Sequence, residues 1–239
     1  MSGRTATGFA CRNMAPLWMV LLVPVLVAGQ EGRVVDPSIN ERFKNPDVEA
    51  NVESFERDSR PVYKYRYAIV AALGLQAGDD VADVGAGSGF MARLIAREVG
   101  PEGQVYAVDI AQETIDHIED AAREEGISNI KGILGGERTT NLPPDSLDLV
   151  LICDTYHHFE YPRDIMASVS AALRPGGRLV VIDYERIRGV TAESRYEHLR
   201  AGKGTFSDEI KDAGFDLEKE LPLIPESYYL EFRKRAPVD

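Results

Sequence analysis

The sequence predicts a doubly wound α/β fold with a mainly parallel sheet, and three observations carry that prediction. Apolar runs of strand length alternate with helical periods from residue 80 to residue 184, and strands joined in this way need crossovers that cover both faces of a parallel sheet. Residues 81–90 (VADVGAGSGF) take an apolar strand carrying one acid straight into three alternate glycines, Gly85, Gly87 and Gly89. Two later runs, 215–220 and 228–233, are separated by a Pro-containing loop with no room for a helix, which predicts an antiparallel pair at the sheet edge.

Taken in order, residues 1–29 read as an export signal. Arg4 and Arg12 give a positive start, residues 15–28 (APLWMVLLVPVLVA) are uninterrupted and apolar, and Val27, Ala28 and Gly29 form a small-residue cleavage site before Gln30. The stretch is short for a bilayer span of about 20 residues, and Pro24 would kink a permanent helix. The expected location is therefore periplasmic or secreted, with an uncleaved membrane anchor as the alternative. Residues 30–60 form a polar extension whose first half reads as a tether. Within it, residues 47–57 (DVEANVESFER) bring Val48, Val52 and Phe55 to helical spacing behind Asp47.

The main domain, 61–239, opens with a helix after Pro61, where Val62, Tyr65, Ile69, Ala72 and Leu73 recur at three or four. Tyr63, Tyr65 and Tyr67 either pack half-buried on that helix or line a substrate pocket. Strands follow at 80–84, 104–109, 130–134, 147–153 and 178–184, with helices at 88–99, 112–125, 162–173 and 205–213. Turn residues fall between them: Gly100 and Pro101, Gly126, Pro143 and Pro144, and Pro175 to Gly177.

Composition narrows the partners. The net charge of −12, which becomes −14 without residues 1–29, argues against nucleic acid, whose binding rests on clustered Lys and Arg. Cys11 falls in the signal, so Cys153 stands alone in the mature chain and no disulfide framework exists. At the end of an apolar run, Cys153 reads as a small buried hydrophobe rather than a nucleophile.

Glycines free the backbone to turn tightly and approach a ligand, and the helix that follows aims its positive end at the same place. A plain strand-to-helix turn would use the same residues. Asp109, which ends the strand VYAVD 24 positions after Gly85, sharpens the reading. A carboxylate at the tip of the neighbouring strand is placed to accept hydrogen bonds from both hydroxyls of a ribose; capping the helix that starts near Gln112 is the other role open to it. Dinucleotide binders space their glycines GxGxxG, whereas Phe90 follows Gly89 here and Asp83 precedes Gly85 by two. An acid at that position suits a cofactor with an ammonium group and repels a pyrophosphate.

These residues resemble the class I S-adenosylmethionine-dependent methyltransferases. The likeness runs over residues 61–235 and rests on VADVGAGSG, VYAVD, LPPDSLDLVLICDTYHHF and LRPGGRLVVIDY. It implies a Rossmann-like, seven-stranded sheet ending in an antiparallel hairpin, with S-adenosyl-L-methionine as methyl donor. Carried over residue by residue, it implies that Asp83, Gly85, Ala86, Gly87 and Gly89 hold the methionine portion, Asp109 the ribose and Ile110 the adenine face. The usual Gly-Asp pair after the third strand is missing, and Glu137 is assigned its contact with the adenine amino group.

Ligands of open α/β sheets sit outside the carboxyl ends of the strands, which directs attention to residues 154–159, just past the fourth strand. His157 or His158 is a candidate general base, Tyr156 or Phe159 a wall for the substrate, and Asp154 a partner for a ring nitrogen or the cofactor amine. Adjacent histidines are expected to point apart, and no further set of ligands falls at metal spacing, so no metal site is expected. His198, Arg200 and Lys203 either cover the same crevice or belong to a solvated helix end. A small-molecule acceptor is the default, because the Asn-Pro-Pro-Tyr type of motif used on DNA bases is absent. A non-catalytic S-adenosylmethionine sensor and a nicotinamide-dependent oxidoreductase remain the competing classes.

Overall fold

The computed structural model describes residues 1, 3 and 32–236. The apolar stretch on which the export reading rests lies outside the described residues. Glu31–Asp239 forms one compact unit, separate from Met1–Gln30. Among the described residues, no helix is long and apolar enough to cross a membrane.

The unit opens with a 3₁₀ turn, Pro37–Asn40, and four short helices: α1 (Glu41–Lys44), α2 (Val48–Phe55), α3 (Pro61–Lys64) and α4 (Arg66–Leu73). The alternation then runs β1 (Val81–Val84), α5 (Phe90–Val99), β2 (Val105–Asp109), α6 (Gln112–Glu124), β3 (Ile130–Leu134) and β4 (Leu147–Cys153). It closes with α7 (Pro162–Ala172), β5 (Leu173–Tyr184), α8 (Glu193–His198), α9 (Lys203–Asp212), β6 (Phe215–Leu221) and β7 (Ser227–Lys234). The sheet order is β3-β2-β1-β4-β5-β7-β6. β1 pairs in parallel with both β2 and β4, so the order reverses beside it. That reversal is where an α/β sheet leaves an open crevice. β7 inserts antiparallel between β5 and β6, as the terminal spacing predicts.

Side chains two apart on a strand share a face, and here each face feeds its own core. Val81, Leu149, Leu151, Val180 and Ile182 meet helices α4, α5 and α6 on one side. Ala82, Val84, Val150, Ile152 and Val181 meet α7 and α9 on the other. Asp83 therefore enters the first core, two residues on from Val81, and is 2% exposed.

The structure departs from the sequence reading in four places. The helix after Pro61 breaks at Tyr65 into α3 and α4, with Arg66 donating to the Tyr63 carbonyl at 2.6 Å. Tyr63 then meets Phe90 edge-on at 5.2 Å and Tyr65 packs on the first core, so the packing role holds for both, while Tyr67 is exposed. β5 begins at Leu173, which pairs with Leu147, rather than at residue 178. Helix α8 lies where the sequence reading assigns no element, although it supplies the helix end at His198 that is one of the two readings given for that residue. Finally, the supposed tether is folded. Val34 donates to the Glu160 carbonyl at 2.9 Å, and Asp36 caps the 3₁₀ turn through Ser38. Asp47 caps α2 through Ala50, as its position suggests.

Candidate functional site

The crevice at the reversal has a cavity volume of about 600 Å³, within the range of small-molecule sites. Its floor is the loop between β1 and α5, where Gly85, Gly87 and Gly89 all take positive φ. A Cβ on Gly85 would stand 2.3 Å from the Thr155 side chain, and one on Gly87 would stand 3.1 Å from the Phe55 ring. Glycine is therefore required here for close approach as well as for angle. The loop does not offer these amides to a ligand, as the sequence reading expects of it. Gly85 and Ala86 donate to the Val108 carbonyl, Gly89 donates to that of Ala86, and Gly87 donates to Asp109. The loop is pre-shaped by its own hydrogen bonds.

Asp83 and Asp109 flank this loop. Asp109 accepts from Gly87 at 2.9 Å through Oδ2 and from Ile110 at 2.8 Å through Oδ1. Each oxygen keeps a lone pair. The helix-cap role is not taken: Ala111 stands at the N-cap of α6, with no side-chain bond. Burial raises the Asp109 carboxyl above its usual range, against the lowering effect of the Gly87, Ile110 and Ala111 amides. Asp83 is more perturbed. Burial and then the charge of Asp109 push its carboxyl up to about 7, and its Oδ2 has no partner. A buried polar atom without a partner is uncommon and calls for a reason. Ile110, beside these acids, is an exposed apolar side chain on the crevice wall.

The N-terminal segment forms the roof. The Phe55 ring lies over Gly87, the Arg60 guanidinium stacks 4.7 Å from the Phe55 centroid, and Arg60 also pairs with Asp154. Asp154 accepts from the Tyr184 hydroxyl at 3.1 Å. Burial alone would raise its carboxyl, yet the Arg60 charge outweighs that and holds it below the usual range. Its Oδ1 is buried without a partner. Asp154 holds no histidine nitrogen. Glu137, assigned to the adenine, is exposed on the crevice rim and salt-bridged to Lys44 at 2.6 Å and Arg33 at 3.6 Å.

The acceptor end is built by the turn Tyr156–His158. Tyr156 is no crevice residue: it is fully buried in the second core, beside Phe159 and Phe206, and donates to Glu209 at 3.1 Å. The histidines do not point apart. The tight 3₁₀ turn brings the His157 and His158 rings to 4.2 Å, and His198 at the end of α8 stands 5.2 Å from each. His157 Nδ1 lies 2.9 Å from Asp183 Oδ1. Burial lowers its basicity, but Asp183 more than compensates and the ring is raised overall. His158 Nδ1 lies 3.0 Å from Asn40 Oδ1. Burial and then the charges of His157 and His198 push His158 down to about 2, too weak for a general base near neutral pH.

Arg200 is bidentate to Glu209, and Lys203 pairs with Glu185 and Glu220. Of that trio only His198 reaches the crevice. Cys153 lines it too, but burial pushes the thiol well above its ordinary range, in keeping with an inert small hydrophobe. Sequence reasoning missed Asn40, Phe55, Arg60, Asp183 and Tyr184. Asp183 alone carried a signal: an acid ending an apolar strand that neighbours β4.

A family profile described as a methyltransferase domain matches residues 82–181, the stretch that holds the glycine loop, Asp109 and both adjacent histidines. Over that stretch the chain is similar to methyltransferase domains, in keeping with its resemblance to the class I S-adenosylmethionine-dependent methyltransferases. Among curated relatives, a ubiquinone/menaquinone biosynthesis C-methyltransferase, UbiE, of Pseudomonas fluorescens is 27% identical over 133 residues, 55% of this chain and 52% of its own. The chain thus spans about half the length of the curated relatives it matches. Among solved structures, an Aquifex aeolicus S-adenosylmethionine-dependent methyltransferase superposes with a TM-score of 0.65 at 21% identity. The match covers 83% of this chain and 98% of that one. A Haemonchus contortus phosphoethanolamine N-methyltransferase 2, solved with S-adenosyl-L-methionine, gives 0.67 at 17%, covering 85% and 60%. At such identities these structures speak for the methyltransferase fold alone.

Proposed function

We propose that this chain binds S-adenosyl-L-methionine along the β1–β2 rim and transfers its methyl group to a small-molecule acceptor at the histidine end of the crevice. The observation that carries the reading is a pair of carboxylates astride a bare-backbone loop, Asp109 half-buried and Asp83 buried with an unpartnered oxygen. The group fits the residues present. The free Asp83 Oδ2, with Asp154 Oδ1 across the crevice, suits an ammonium; the spare lone pairs of Asp109 suit two ribose hydroxyls; Ile110 suits a flat base. When bound, the sulfonium supplies a methyl group already activated for in-line displacement.

This chain's own residues position, exclude water and manage one proton. Phe55 and the Arg60–Asp154 pair close the roof. His157, its ring fixed by Asp183, has its second nitrogen for the proton of a hydroxyl or ammonium acceptor. We read the apolar N-terminal stretch as an export signal or anchor, which cell fractionation of the full chain tests. Finding the protein in the cytosol at full length would refute it.

Calorimetry with S-adenosylmethionine, S-adenosylhomocysteine and NAD tests the cofactor. Binding of the first two and not the third is expected, and the reverse would identify a nicotinamide enzyme. Asp109→Ala is expected to weaken both adenosyl ligands by roughly 1.5–3 kcal/mol, the scale of hydrogen bonds to a charged group. Undiminished affinity in a folded variant would refute the ribose assignment. Binding without S-adenosylhomocysteine release across a panel of acceptors would favour a sensor.

A further inference from the structure

We propose that His157, His158 and His198 hold a divalent transition-metal ion of the zinc type at the acceptor end of the crevice. One ring nitrogen from each lies within 4.8 Å of those of the other two. A general base needs one imidazole; three converging on one point are left without a task by that role.

The surroundings fix which nitrogens keep a lone pair. Asp183 accepts from the His157 backbone amide at 3.1 Å and the Tyr184 amide at 2.8 Å as well as from His157 Nδ1. Its carboxylate is thus an acceptor throughout, which makes Nδ1 the donor and leaves Nε2 with its lone pair. Asn40 donates through Nδ2 to the His158 carbonyl and to Glu160 Oε1, each at 3.0 Å. Its Oδ1 is thereby fixed as an acceptor, and His158 Nδ1 must donate to it. Metal-ligating histidines characteristically hand their other N–H to a carboxylate or carbonyl oxygen, which sets tautomer and ring orientation. Both arrangements are present here before any ion is.

A second grouping, Asp154 with His157 and Asp183, falls within the same distance, but Asp183 is taken by three N–H donors, and Asp154 is paired with Arg60 and Tyr184 through Oδ2 while its free Oδ1 is assigned above to the ammonium. The three imidazoles remain as donors. Tetrahedral ligands at a zinc–nitrogen distance of about 2.0–2.1 Å stand roughly 3.4 Å apart. Binding would draw the three nitrogens from within 4.8 Å to that spacing, with the exposed His198 ring the freest to turn. Three histidines with one position open to the crevice are the pattern of reactive rather than structural zinc sites. Neutral nitrogen donors select Zn²⁺, Co²⁺ or Ni²⁺ over Mg²⁺ and Ca²⁺, which prefer oxygen. The open position faces the space where the acceptor would lie and would take an oxygen, nitrogen or sulfur donor atom. The site itself does not depend on the methyl-transfer reading; with the ion bound, His157 Nε2 is a ligand and no longer the base assigned to it above.

The test is titration of the metal-free, untagged chain with Zn²⁺ by calorimetry and with Co²⁺ by visible absorption, using Mg²⁺ as control. One Zn²⁺ per chain is expected, with the intense bands of four-coordinate Co²⁺ and no Mg²⁺ binding. His198→Ala removes an exposed side chain, so the fold should persist while Zn²⁺ affinity drops more than about tenfold. Asp183→Asn, which acts through His157, should weaken it about 10–100-fold. His117→Ala, the remaining histidine of the four, should change nothing. Absence of stoichiometric Zn²⁺ binding, or an unaltered affinity in folded His198→Ala, overturns the site. S-adenosylmethionine affinity measured on the same samples reports separately on the cofactor.

Discussion

Asp83→Asn is expected to melt at a higher temperature than the wild type at pH 8 and to bind S-adenosylmethionine at least about tenfold more weakly. The two effects share one cause. The Asp83 carboxyl is displaced from 3.8 to about 7 by burial and by Asp109, which corresponds to roughly 4 kcal/mol against the ionised form. The sign follows from proton binding. Between pH about 4 and about 7 the folded chain holds a proton that the unfolded chain has lost, so stability declines as pH rises through that window and stays low above it. Asparagine removes the buried charge but leaves an amide without a partner, so the net gain at pH 8 is about 1–3 kcal/mol and shrinks toward nothing at pH 5. A bound ammonium reverses the preference. Wild-type affinity should therefore rise with pH up to about 7, with a proton released on binding, visible as buffer-dependent heats. A variant less stable than the wild type at pH 8, or affinity flat from pH 5 to 8, would sink this account.

Arg60→Ala is expected to destabilise the protein by about 3–5 kcal/mol, the loss found when one member of a buried ion pair is removed and the other stays charged. The side chains of Arg60 and Asp154 are 17% and 8% exposed, so water does little to rescue the orphan. Pairing the change with Asp154→Asn should recover more than about 1 kcal/mol, since the stranded charge goes with it. Denaturant melts of the four proteins measure both numbers. A single variant within about 0.5 kcal/mol of the wild type would mean the pair contributes nothing to the roof.

The sheet was legible because its signals are local: alternation, glycines at a strand end, a loop too short for a crossover. Asp83, the glycines, Asp109 and Ile110 follow from that frame, since a strand end fixes where its last residues go. The roof was not legible. Helices α1 and α3 have four residues each, too few to show a period, and isolated helices of that length have no stability of their own. They are held by partners about a hundred residues away: Asn40 by His158, Lys44 by Glu137, Arg60 by Asp154. Glu137 went to the adenine by position in the chain, and nothing near it in sequence announces Lys44. Tyr156 shows the converse. On a 3₁₀ turn it rotates away from its neighbours into the core, so aromatic character beside two histidines was no guide to orientation. His198, forty residues past His158, joins the cluster only through the path of the segment after β5.

Anyone preparing a shorter version of this protein for expression faces a choice of first residue. Starting at Pro61 retains all seven strands and every family motif, yet discards Asn40, Phe55 and Arg60. Such a fragment would keep Asp154 without its counter-charge, His158 without its orienting acceptor and Gly87 uncovered. A boundary ahead of Arg33 keeps the lining whole, and the segment before Pro61 should be treated as part of the working machine, not as packaging.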